Sequence, residues 1–210
     1  MSDKEYWENY YAQQNIELRP SMFARYVREK VLEDHKLIIE LGCGNGRDAI
    51  FFANENFDVL AVDQVLNEIN FLKNKYQQIK NITFKCADFS TLDSSRKFDV
   101  IYSRFTIHSI TEQQENRVID WAYQNLNKNG KFCIEVRGQK NEIFGKGTQV
   151  VNQPNAFIYN EHYRRFIHFE DFTNKLQSIG FNIDFAAEDK GFAPFNGVNE
   201  IFIRIIVTKK

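Results

Sequence analysis

The chain has 210 residues, 43% of them hydrophobic and 15% aromatic, which is enough for one sizeable core. Its 27 Lys and Arg against 28 Asp and Glu leave a formal net charge of -1, so there is no overall field to hold a polyanion such as DNA or RNA, and any anion site must be local. No apolar run approaches the roughly 18 residues of a membrane span, and the scattered cysteines Cys43, Cys86 and Cys133 lack metal-binding or Cys-x-x-Cys spacing, which predicts a reduced, cytoplasmic setting and no metal.

In chain order, Tyr6, Trp7, Tyr10 and Tyr11 pair at i and i+4 and predict a short helix with aromatics on one side. After Pro20-Ser21, the pattern Phe23, Tyr26, Val27, Lys30, Val31 predicts a second amphipathic helix, so residues 1–34 are expected as a helical cover. Short apolar runs follow at 36–41, 59–62, 82–87, 98–102 and 131–136, alternating with helical patterns in the rhythm of parallel βαβ units. Leu66, Ile69, Leu72, Tyr76 and Ile79 mark one intervening helix. Val118, Ile119, Ala122 and Leu126 mark another, with Gly130 expected to end it as a C-terminal cap. The tail differs: runs at 181–185 and 201–207 have no long helix between them, which predicts an antiparallel pair, and the second run is apolar on both faces and therefore interior. The expected fold is a single α/β domain over 1–210, with a mostly parallel seven-stranded sheet, one antiparallel strand and helices on both faces.

The first strand leads directly into Gly42-Cys-Gly-Asn-Gly46, and a helix is expected over about 47–54. Glycines allow so sharp a turn and let a ligand approach the main chain. A dinucleotide site would carry G-x-G-x-x-G at this turn; the spacing here is G-x-G-x-G, preceded by the acid Glu40. The second strand ends at Asp63, seventeen residues beyond Gly46, and the third ends in Cys86-Ala-Asp88-Phe89. Taken singly, a strand-terminal Asp is as readily the N-cap of the next helix.

This ordered set resembles the motifs of class I, Rossmann-like, S-adenosylmethionine-dependent methyltransferases. The resemblance covers roughly residues 36–137 by motif and the remainder by architecture. It implies S-adenosylmethionine as donor and S-adenosylhomocysteine as product, with Glu40, Gly42, Cys43, Gly44 and Gly46 around the methionyl end. Asp63 and Gln64 are then placed at the ribose, Asp88 and Phe89 at the adenine, and Ser103 facing the donor at the end of the fourth strand. Tyr11, in an N-terminal segment resembling cover helices of small-molecule methyltransferases, is implied to close over it, although packing of those aromatics on the body of the domain is equally open.

On the acceptor side, the fourth strand ends in Tyr102-Ser-Arg-Phe-Thr-Ile-His108, without the Asn/Asp-Pro-Pro-aromatic pattern of enzymes that methylate base or glutamine amino groups. His108 is a candidate general base, its alternative being a helix cap or core residue. Residues 138–169, too aromatic for disorder, are expected to form an ordered acceptor lid. Arg104, Arg137, Arg164 and Arg165 are candidates, with His162, to converge on a phosphate or carboxylate, while Arg164 and Arg165 have the alternative of pairing with nearby surface acids. The set S-R-F-x-x-H, E-x-R and H-x-x-R-F is similar to small bacterial methyltransferases associated with capsule or surface-polysaccharide modification, which implies O-methylation of a sugar, sugar phosphate or phosphoramidate-type acceptor. Aminopropyl transfer on the same fold, or a non-catalytic cofactor-binding subunit, remain the rival readings.

Overall fold

The computed structural model describes residues 19–32, 36–93 and 96–210. The expected aromatic helix with Tyr6, Trp7, Tyr10 and Tyr11, and most of the proposed cover, lie outside the described residues. Helix α1, Met22–Lys30, starts where Pro20-Ser21 predicts: Ser21 is its N-cap, and the Ser21 hydroxyl accepts from the Ala24 N–H at 3.0 Å.

The α/β alternation then runs β1 (Leu37–Leu41), α2 (Arg47–Asn54), β2 (Asp58–Asp63), α3 (Leu66–Lys75), β3 (Ile82–Cys86), β4 (Phe98–Arg104), α4 (Glu112–Asn125) and β5 (Leu126–Val136). Three short strands, β6 (Thr148–Gln149), β7 (Ala156–Tyr159) and β8 (His162–Arg165), form a separate antiparallel sheet in the segment expected as the lid. Helix α5 (Phe169–Ile179) and strands β9 (Phe181–Asp189) and β10 (Phe202–Lys209) complete the chain.

The main sheet has seven strands in the order β3-β2-β1-β4-β5-β10-β9. Neighbouring strands from β3 to β5 pair in parallel, whereas β10 runs antiparallel to both β5 and β9. β10 is therefore the one reversed strand, and its interior place explains why both of its faces are apolar. On one face Ile38, Val59, Val100, Tyr102 and Cys133 pack with Phe23, Val27, Phe52 and Leu72 of α1 to α3. On the other, Ile39, Leu41, Ile101, Ile134 and Ile203 pack with Ile119, Ala122, Phe172 and Leu176 of α4 and α5.

One boundary differs from expectation. Gly130 does not cap α4: the helix ends at Asn125 and the chain passes straight into β5, with Gly130 inside that strand. The register between β4 and β5 shifts near Phe98, and Asn129 supplies the left-handed residue at φ 63. Gly130 is needed there for its size, since a Cβ would come within 2.9 Å of the Asn127 carbonyl and 3.1 Å of the Asp99 carbonyl.

Candidate functional site

The carboxyl ends of β1, β2 and β4 meet at the glycine turn. Backbone N–H groups of Gly42 and Cys43 both donate to the Val62 carbonyl, at 2.8 and 2.9 Å, which clamps the turn to β2. Gly42 adopts φ +71, and a Cβ on it would lie 2.4 Å from Thr106 Cγ2 and 3.7 Å from the Phe89 ring. The turn therefore touches both Phe89 and the segment after β4 through a position where only glycine fits. Gly46, at φ 74, starts α2, whose first N–H groups find side-chain acceptors nearby: the Arg47 N–H donates to Asn45 Oδ1 at 3.4 Å and the Ala49 N–H to the Glu40 carboxyl.

Glu40 is the least satisfied group in the region. It is buried, the Ala49 N–H supports its carboxyl, and Oε2 has no hydrogen-bond partner among the described residues. Burial, with Asp48 adding to it, pushes Glu40 well above the usual carboxylate range, against the opposing pull of Arg47, the Ala49 N–H and Arg104. Asp48 itself is tied up: it accepts from the Ser21 N–H and hydroxyl, both at 2.7 Å, and from the Tyr102 hydroxyl at 2.9 Å. That network fastens the start of α1 to the start of α2 beside Glu40.

Asp63 is buried at the end of β2, where Oδ2 accepts from the Gly44 N–H at 2.9 Å and Oδ1 from the Val65 N–H at 3.0 Å. The Gln64 N–H adds to this support, so main-chain donors fix the orientation of the carboxyl group. Gln64 follows half-buried, its carbonyl accepting from the Cys86 thiol at 3.6 Å. Burial, reinforced by Asp63 and Glu40, holds the Cys43 thiol protonated. Asp88 is exposed and caps a short helical turn at Phe89–Thr91, accepting from the Ser90 N–H at 2.8 Å. Ser103 is fully buried and bonded to Thr106 at 2.6 Å between hydroxyls.

The second half of the site lies beyond β4 and β5. His108 is buried, and its Nδ1 accepts the Arg137 backbone N–H at 3.2 Å, so the proton of the neutral imidazole sits on Nε2. Burial first, then Arg137, His162, Arg164 and Arg165, push its pKa well down. His162, on β8, is brought within 3.5 Å of the Ser109 hydroxyl and is lowered to about 3 by burial, Arg164 and Arg137. Strand β8 and the end of β5 thus place three arginines around two neutral histidines.

Each arginine has a partner of its own. Arg137 donates to Asn141 at 2.7 Å and to Glu200 at 2.5 Å. Arg165 binds the buried Glu115 of α4, which also takes Lys175 at 2.6 Å, and Arg164 donates to the Tyr159 carbonyl at 2.7 Å. Arg104 turns away from His108: it binds Glu135 through Nε at 3.0 Å and acts electrostatically on Glu40 and Asp48. The four guanidinium groups expected to converge are therefore split, with three near the histidines and Arg104 beside the glycine turn.

Several residues at this edge were not singled out from sequence: Asp48, Thr106, Glu115, Glu135 and Arg204. The available signal for Glu135 and Arg204 is a charge inside an apolar strand, which is rarely buried unless paired. A cleft of about 390 Å³ opens between the starts of α4 and α5 and is lined by Thr111, Glu115, Asn155, Arg165, His168 and Lys175, none of them from the glycine turn. Among the described residues no group of three or more His, Cys, Asp or Glu is arranged to hold a metal ion, and no helix is long and apolar enough to cross a membrane.

Comparison with known proteins agrees with this geometry. Residues 38–130 match the model of a family described as a methyltransferase domain. The malonyl-[acyl-carrier protein] O-methyltransferase 1 of Ilyobacter polytropus is 29% identical over 110 residues, covering 49% of this chain and 38% of that protein. The phosphoethanolamine N-methyltransferase 1 of Zea mays is 26% identical over 132 residues, covering 57% of this chain and 26% of that protein. The matched stretch thus spans well under half the length of these curated relatives. Among solved structures, the CcbJ methyltransferase of Streptomyces caelestis superposes with a TM-score of 0.76 at 13% identity over 100% of both chains, a likeness of fold. The matched segment lies inside the seven-stranded order, and the fold is the mostly parallel, Rossmann-like one of that solved methyltransferase.

Proposed function

We propose that this protein is an S-adenosylmethionine-dependent methyltransferase acting on a small anionic acceptor. The observation that carries the reading is the buried Glu40 Oε2, which has no hydrogen-bond partner among the described residues and lies at the start of a glycine turn too tight for any Cβ at Gly42. A buried carboxylate oxygen without a donor is costly, and a ligand ammonium delivered there removes the cost. The residues present fit the donor: Glu40 for the ammonium, the fixed carboxyl group of Asp63 for ribose hydroxyls, Phe89 against the turn for a flat ring, and Asp88 and Gln64 at the rim.

When bound, the donor supplies a methyl group on a sulfonium centre for in-line displacement by an acceptor oxygen or nitrogen. The protein's own contribution is alignment and exclusion of water. Ser103 and Thr106 hold the end of β4 against Gly42. His108, neutral with its proton on Nε2, offers the acceptor a hydrogen-bond donor; serving as a base requires it first to release the Arg137 N–H from Nδ1. Arg137 and Arg164, with Arg165 behind them and the neutral His162 beside them, give this side a positive character suited to phosphate or carboxylate. Sugar phosphates of the kind used in surface-polysaccharide synthesis belong to that class and head the acceptor panel.

Calorimetric titration with S-adenosylmethionine and S-adenosylhomocysteine, then incubation with labelled methyl donor and a panel of small phosphates and carboxylates, tests the reading. Heat of binding and label transfer to an anionic acceptor are expected. Absence of heat and of any melting shift with either ligand sinks the donor assignment; transfer confined to uncharged acceptors sinks the anionic one.

A further inference from the structure

Three charged side chains form one row across the sheet. Arg104 on β4 is in register with Glu135 on β5, and Glu135 with Arg204 on β10. Side chains in register share a face of the sheet. Tyr102, two residues before Arg104, stacks on Phe23 of α1 and is itself in register with Glu40. Glu40, Arg104, Glu135 and Arg204 therefore lie on the face that α1 covers, at the carboxyl edge of the parallel strands.

The two arginines of this row do different things. Arg204 is 5% exposed; its Nε and Nη2 reach Glu135 Oε2 at 3.1 and 2.6 Å, and Nη2 also donates to the Phe192 carbonyl at 3.0 Å. Its guanidinium faces the rings of Phe23, Tyr26 and Phe192 at 5.0, 4.8 and 4.4 Å, which fixes it as a strut. Arg104 gives Glu135 only its Nε, so its two Nη groups make no hydrogen bond among the described residues. They belong to a side chain that is 16% exposed and rests on the Phe105 ring at 4.0 Å. Phe105 is a bulky residue held at φ 59, a conformation that such residues adopt only where the surroundings impose it.

Two guanidinium groups share the one fully buried carboxylate of Glu135, and that of Arg104 also feels Asp48. On the adjacent strand stands Glu40 Oε2, which accepts no hydrogen bond among the described residues. An α-amino-acid terminus requires that pairing, an acceptor for its ammonium beside a planar donor fork for its carboxylate.

We propose that Arg104 binds the carboxylate of the donor's methionyl end, opposite Glu40, and that Glu135 and Arg204 are positioning residues that aim it. The inference rests on the donor assignment above and moves Arg104 from the acceptor to the donor. Decarboxylated S-adenosylmethionine, which keeps the adenosine, sulfonium and amine and lacks only the carboxylate, is the probe. Wild type should bind S-adenosylmethionine roughly 10- to 100-fold more tightly than this analogue in calorimetric titration. Arg104→Met should abolish that preference with little change for the analogue, and Arg104→Lys, which keeps the charge without the fork, should keep part of it. Glu135→Gln and Arg204→Met should each cut the preference by at least about threefold, an effect that loss of stability alone does not produce. If wild type binds neither ligand, the donor reading fails and this inference with it. If wild type binds and Arg104→Met or Arg104→Lys, whichever folds, retains the full preference or weakens both ligands equally, Arg104 does not hold the carboxylate while the donor reading survives. An unchanged preference in both Glu135→Gln and Arg204→Met overturns the positioning role.

Discussion

Replacing Gly42 by alanine isolates what the glycine turn accomplishes. A left-handed backbone costs an L-residue about 1–2 kcal/mol relative to glycine. The added Cβ also lies 2.4 Å from Thr106 Cγ2 and 3.4 Å from Thr106 Cβ. Thr106 cannot simply rotate, because it is β-branched and its hydroxyl is bonded to Ser103 at 2.6 Å. Overpacking of that kind adds about 1–3 kcal/mol, so Gly42→Ala should lose about 2–5 kcal/mol of folding stability. Thr106→Ser removes the clashing methyl and keeps the hydroxyl, so the double variant should regain the packing part and retain only the backbone part. Urea unfolding of the four proteins in a double-mutant cycle reads the two contributions separately. Gly42→Ala within about 0.5 kcal/mol of wild type, or a coupling to Thr106→Ser below that size, refutes the close approach on which the site is built.

Two further outcomes follow from the buried titratable groups. His162 stays neutral down to about 3 in the folded protein, whereas an unfolded histidine takes up a proton below about 6.5. The unfolded state therefore binds more protons in between, and stability should fall as pH drops through that window by up to about 1.4 kcal/mol per pH unit from this group. His108 acts in the same direction, and His162→Asn should flatten the slope of melting temperature against pH. For Glu40, whose carboxyl burial and Asp48 push upward while Arg47, the Ala49 N–H and Arg104 pull it down, a bound ammonium favours ionisation. S-adenosylmethionine binding should then release a proton and strengthen with rising pH up to the raised value, seen as a dependence of calorimetric heat on buffer ionisation enthalpy that Glu40→Gln abolishes.

The parts of the site that sequence reveals are those made by neighbours in the chain. A strand running into Gly42-Cys-Gly-Asn-Gly46, and acids ending the next two strands, are local patterns whose consequence is fixed once the strands are parallel. The reversed β10 was legible for the same reason, because a strand apolar on both faces has to be interior. Gly130 misled because the helical pattern ending at Leu126 also begins β5, and the need for glycine comes from the Asp99 and Asn127 carbonyls rather than from a helix end. The arginines misled in a different way. Their partners Glu115, Glu135 and Glu200 stand 50, 31 and 63 residues from Arg165, Arg104 and Arg137, beyond the reach of any local pattern.

This difference in origin separates the two halves of the site physically. The proposed donor half is set largely by backbone: glycine conformations and main-chain N–H groups on Asp63 leave little for side chains to vary. The proposed acceptor half is set by ion pairs between distant elements, in which β8 brings His162 and Arg164 to the end of β5 and Glu200 holds Arg137. Changing one carboxylate there frees a guanidinium group without disturbing the glycine turn, so acceptor preference can shift while the donor site stays as it is. Arg104 sits on the boundary between the proposed halves, fixed by the pairing of β4, β5 and β10 yet within electrostatic reach of Glu40, so the analogue titration decides which half it serves.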